Sequence, residues 1–98
     1  MEKKAIISKD KIYRYKLSRT WDSTKPTILF IGLNPSIADE NVDDPTITRC
    51  INFAKDWGYG TLLMANLFAF RSTYPKDIYL IDDPIGKDND HYLLECVT

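Results

Sequence analysis

The chain has 98 residues and a mass of 11.3 kDa, with thirteen Lys and Arg against fourteen Asp and Glu. Hydrophobic residues make up 44% and aromatic residues 12%, enough to fill one core, and a chain of this size buries about 60–65% of its unfolded surface. This composition excludes a long disordered tail, and no apolar run nears the roughly 18 residues of a membrane span.

Residues 1–98 read as a single domain without repeat, linker or low-complexity run. Met1 to Lys4 leads into too few apolar residues for a signal peptide, so a cytoplasmic address is expected, with no membrane partner. Cys50 and Cys96 form neither a disulfide framework nor a CxxC knuckle, which leaves them reduced and packed. No cofactor is expected.

In chain order, the apolar run Ala5, Ile6, Ile7 is followed by a Ser8–Lys11 turn and by Tyr13, Tyr15, Leu17 and Trp21 at alternate positions. That period of two predicts an antiparallel hairpin, with Arg19 out of place on the aromatic face. Thr27 to Leu33 is almost continuously apolar and predicts a central strand covered on both faces. Asp44 and Pro45 open a helix through Ile47, Cys50, Ile51, Ala54 and Trp57, which Gly58 closes. Thr61 to Leu67 predicts a second buried strand, making a βαβ unit, and short helices are expected at Lys76–Leu80 and from Asp88 onward. The fold class is therefore α/β, a three-layer α/β/α arrangement around a mostly parallel sheet with the hairpin at its edge. One βαβ unit cannot cover both faces of such a sheet, so the domain is expected to be incomplete, its remainder supplied by further chain or by a partner.

Candidate chemistry concentrates where the two strands end. Asn34 through Asp44 is an eleven-residue connection, longer than the ~2–6 residues usual between strand and helix. It begins Gly32-Leu33-Asn34-Pro35-Ser36, with Pro35 holding Asn34 extended. The second strand ends Asn66-Leu67-Phe68-Ala69-Phe70-Arg71, and neighbouring parallel strands would bring Asn66 and Asn34 to one crevice. Two neutral amides suit reading a base edge or holding a water. The competing account is local: an Asn-Pro turn that ends the strand, and an Asn66 that caps it.

Gly32-Leu33-Asn34-Pro35-Ser36, Asp43-Asp44-Pro45-Thr46-Ile47, Arg49-Cys50, Trp57-Gly58-Tyr59-Gly60, Asn66-Leu67-Phe68-Ala69 and Asp83-Pro84-Ile85-Gly86 with Asn89-Asp90 together resemble the family called domain of unknown function 1643, from about Tyr13 onward. That resemblance implies a longer family domain of which this chain is about the N-terminal two-thirds. The first motif is also similar to that of the uracil-DNA glycosylase superfamily, whose mismatch-specific branch has a Gly-x-Asn-Pro-Gly turn, and Asn66-Leu67 looks like its second-strand asparagine. This likeness implies N-glycosidic bond hydrolysis. Asn34 would be the catalytic residue holding water, Asn66 would read the base, and Gly32, Leu33, Pro35 and Ser36 would shape the pocket. Phe68, Arg71 and Arg19 are further candidates for contacting the substrate. Ser36 stands where that superfamily has glycine or tyrosine, and its later His-Pro motif has no counterpart.

The lone His91 sits in a polar stretch and reads as a surface residue. Asp39, Glu40, Asp43 and Asp44, and again Asp82, Asp83, Asp88 and Asp90, read as caps and solvated charge, with a metal-dependent hydrolase as the remaining alternative. Lys11, Arg14, Lys16, Arg19 and Lys25 make the hairpin locally basic, which a solvated strand face explains except at Arg19, expected on the aromatic face to pair with a carboxylate, to stack or to reach the crevice as Arg71 would. The expected ligand is a nucleobase, nucleotide or nucleic acid. The rival expectation is a non-catalytic interaction domain whose open sheet takes a second copy or another partner.

Overall fold

The computed structural model describes residues 1–98. The elements in order are β1 (Glu2–Ile7), β2 (Arg14–Thr20), β3 (Thr27–Gly32), α1 (Pro45–Asp56), β4 (Thr61–Asn66), a 3-10 turn (Pro75–Tyr79) and α2 (Asn89–Val97). The hairpin, the βαβ unit and both later helical segments stand where the sequence pattern puts them. Asp44 caps α1 by accepting from Ile47 N at 2.9 Å, Pro45 occupies its first turn, and Gly58 follows at φ 85°. No helix is long and apolar enough to cross a membrane.

The sheet departs from expectation. Its order is β1-β2-β4-β3; only β3 and β4 run parallel, and β1 with β2 and β2 with β4 are antiparallel. The architecture is a mixed α/β sheet of four strands with two helices, not a mostly parallel one, because the hairpin docks directly on β4 and takes the place a further parallel strand would fill. The same docking moves β3 from the centre to the edge, leaving Ile31 47% exposed. An uninterrupted apolar run does not distinguish a central strand from an edge strand with one side open.

The main core joins Leu17 of β2, Ala38 of the long connection, Ile47 and Ile51 of α1, and Leu62 and Met64 of β4, with Trp21, Phe30 and Cys50 packed against it. Burying side chains of this size contributes about 1.5–3 kcal/mol each, which fixes α1 on the sheet. The register shifts between Ile6 and Ile7, whose partners are Lys16 and Arg14, so Tyr15 is an extra residue in the ladder. Strict alternation therefore fails there. Tyr15 stacks on Tyr92 of α2 at 5.4 Å, and the next residue, Lys16, also reaches α2, pairing with Glu95 at 2.9 Å. The bulge frees Arg14 to turn toward the core.

Candidate functional site

The connection after β3 is held in place by three guanidinium groups that reach its main-chain oxygens. Arg14 donates to Ala38 O at 3.1 Å. Arg71 donates to Ser36 O at 3.2 Å and Ile37 O at 3.1 Å. Arg19 donates to Asp39 O and, at 3.2 Å, to Val42 O, while its Nε meets Asp43 Oδ1 at 2.7 Å. A loop this long carries many backbone acceptors without ladder partners, and planar, multi-donor arginine heads satisfy several of them at once.

Gly32 and Asn66 are register partners at the carboxyl ends of β3 and β4. Beside them opens a cleft of about 120 Å³ lined by both asparagines together with Arg14, Gly32, Ser36 and Thr46. Asn34 donates from Nδ2 to Phe70 O at 3.2 Å, to Ser72 Oγ at 2.9 Å and to Pro35 O at 3.3 Å. Two carbonyl acceptors fix its amide orientation and leave Oδ1 without a protein partner. Asn66 is only 4% exposed and accepts from Arg14 Nη2 at 3.3 Å. Arginine can only donate, so Asn66 Oδ1 faces it and Nδ2 remains over Gly32, where a Cβ would come within 2.8 Å. Glycine at position 32 is thus what lets this amide lie flat against the strand end. Each asparagine performs a structural task with one end and keeps the other end open.

Arg14 is 2% exposed, makes no ion pair, and has a buried Nε with no partner. Burial pulls its pKa down to about 10, against an opposing contribution from Asp44 and with Arg71 and Arg19 adding to the drop. Asp44 is equally enclosed but spends its oxygens on Ile47 N and, at 3.3 Å, Ala38 N. At the far side of β4, Asn89 is fully buried and donates to Asn66 O at 3.0 Å and Leu67 O at 3.1 Å, pinning the strand end from α2. The profile of the family described as "Protein of unknown function (DUF1643)" matches residues 14–98. The chain belongs to this family. No curated protein and no solved structure matches it. The part matching DUF1643 starts at Arg14 and so contains every residue of the cleft.

Within this DUF1643 site, Gly32, Leu33, Asn34, Pro35, Ser36 and Asn66 come together as the sequence suggests. Phe68, Arg71 and Arg19 do not line the cleft. Phe68 is tied by its backbone N to Leu33 O at 2.9 Å, and the two arginines hold the connection from outside. Arg14, expected on a solvated basic face, is buried, whereas Arg19, set apart on the aromatic face as paired or stacked, is buried and pairs with Asp43. The missed residue is Arg14, and no sequence signal marks it because the bulge that redirects it depends on pairing with β1.

The acidic loop residues act locally. Asp39 accepts from Asn41 N and Val42 N, both at 2.8 Å, and no group of three or more His, Cys, Asp or Glu side chains gathers to hold a metal ion. His91 is exposed and lies 3.9 Å from Glu95. A wider groove of about 560 Å³ runs along α1 past Asp44, Arg49, Asn52 and Asp56, but it is open, and its one buried polar side chain, Asp44, is engaged by Ala38 N and Ile47 N.

Proposed function

We propose that the cleft binds a single nucleobase-sized ring and serves an N-glycosidic hydrolase of the uracil-DNA glycosylase kind. The observation that carries this reading is the convergence of a free acceptor, Asn34 Oδ1, and a free donor, Asn66 Nδ2, on one cleft of about 120 Å³. A cavity of about 150 Å³ takes up one benzene ring, so this volume suits a base and not a whole nucleotide. The sugar would remain outside the mouth. Asn66 would donate to a ring carbonyl, and Asn34 would hold water against the anomeric carbon. In the reaction the C–N bond breaks with its electron pair going to the base nitrogen, water oxygen bonds to the sugar carbon, and the water proton ends on the base. Placement and electrostatics, not a strong base, set the rate of such a step.

The test is a titration followed by NMR with uracil, thymine and nucleoside monophosphates, on the parent and on Asn66→Asp. The variant keeps an acceptor for Arg14 but removes the donor facing the ring, so base affinity should fall at least about tenfold with the fold intact. A parent that binds no base, or a variant that binds it equally, would overturn the reading. Base release from a uracil-containing single strand tests the hydrolytic part, with Asn34→Ala expected to slow it about a hundredfold.

A second reading is favoured by the half-exposed Ile31, Leu33 and Leu67 around the open end of β3. On that reading the strand edge receives another chain that completes the three-layer arrangement, and the domain binds without catalysis. Concentration-dependent association with no base binding would select it.

A further inference from the structure

A buried guanidinium with no carboxylate partner is an expensive arrangement, because removing a charge from water is compensated only by pairing or by full hydrogen bonding. Arg14 has neither in the free protein. Its five N–H groups have two protein acceptors, Ala38 O and Asn66 Oδ1, and its Nε is both buried and unpartnered. The same side chain lines the cleft. The first turn of α1 also lines it through Thr46, whose backbone N–H has no partner in the chain, so the positive end of that helix adds to the field.

Resting on the base-pocket reading above, we infer that the cleft is selective for the anionic, deprotonated form of an imide-type ring, with Arg14 as the residue that recognises the charge. A planar anion spreads its charge over ring nitrogen and carbonyl oxygens, which matches the flat donor array of a guanidinium better than a point cation would. Arg14 thereby supplies the stabilisation of a departing base for which this chain has no suitably placed histidine. The charged groups facing Arg14 are Asp44 at the cap of α1, Arg71 after β4 and Arg19 on its own strand. Asp44 is the only opposing charge among them, and its oxygens are already engaged by two backbone N–H groups.

The test uses the whole chain and two rings of nearly the same shape, uracil and 6-azauracil, the second of which loses its proton near neutral pH. Dissociation constants are measured by calorimetry from about pH 5 to about pH 7, where uracil stays neutral and reports any titration of the protein itself. 6-Azauracil should tighten about fivefold or more across this range relative to uracil, and Arg14→Gln should abolish the difference. Should that variant fail to fold, the ratio of the two rings on the parent decides alone. Binding of both rings with no change in their ratio overturns the anion selectivity and leaves the base pocket standing. Binding of neither overturns both.

Discussion

Replacing Arg19 with Met should weaken the fold by about 3 kcal/mol while leaving its core volume nearly unchanged. The side chain is completely buried, and methionine fills the space of its aliphatic stem. What disappears is the 2.7 Å ion pair to Asp43 and the hydrogen bonds to Asp39 O, Val42 O and Ser18 O. A hydrogen bond to a charged partner contributes about 1.5–3 kcal/mol and a neutral one about 1 kcal/mol, but the Asp43 side chain is 26% exposed and regains water when released. The loss therefore falls at the low end of the ~3–5 kcal/mol for breaking a buried pair. Against a total stability of about 5–15 kcal/mol the variant stays folded. In urea unfolding followed by the fluorescence of Trp21 and Trp57, the midpoint should drop by roughly 1.5 M at unchanged slope. Asp43→Asn, which keeps the guanidinium and only neutralises its partner, should cost less. A midpoint shift below about 0.5 M for Arg19→Met would refute the claim that this arginine holds the connection after β3.

Gly32→Ala probes the cleft without touching its polar atoms. The new methyl would press on Asn66 Nδ2, which cannot retreat because Arg14 holds the other end of the amide, so base binding should fall at least about fivefold while stability changes by under about 1 kcal/mol; unchanged affinity by NMR titration would show that the amide is free to move. Stability should also fall at acid pH. Asp39 is held below the ordinary carboxylate range by Asn41 N and Val42 N, Asp10 by Ser8 Oγ, Asp22 by Thr24 Oγ1 and Glu95 by Lys16. Their folded values lie below their unfolded ones, so the stabilisation is complete above the unfolded range and is lost as pH falls through the folded values. The urea midpoint should be level from about pH 8 to pH 5 and decline below about pH 4, with a smaller decline in Asp39→Asn; a flat profile down to about pH 3 would contradict this.

Local chemistry written in short stretches of chain was legible without coordinates. Asp44-Pro45 and Gly58 delimit α1 because caps and left-handed glycines act within one turn, and the Ser8–Lys11 turn between an apolar run and an alternating one needs only neighbours to form a hairpin. The meeting of Asn34 and Asn66 was legible for a similar reason, since adjacent parallel strands must open their carboxyl ends on one side. What a strand does to its next neighbour was not legible. β2 lies against β4, which turned a nominally parallel sheet into a mixed one and put β3 at the edge, and both outcomes depend on long-range pairing that no window of sequence encodes. Arg14 is the clearest case: alternation assigns it to solvent, yet an extra residue at Tyr15 swings it inward, where the amide oxygen of Asn66 and the carbonyl of Ala38 accept from it. The sequence by itself determined the elements, their ends and the two asparagines. Only the tertiary structure decided that a buried cation lines the same cleft, because burial and pairing are properties of surfaces brought together, not of residues in a row.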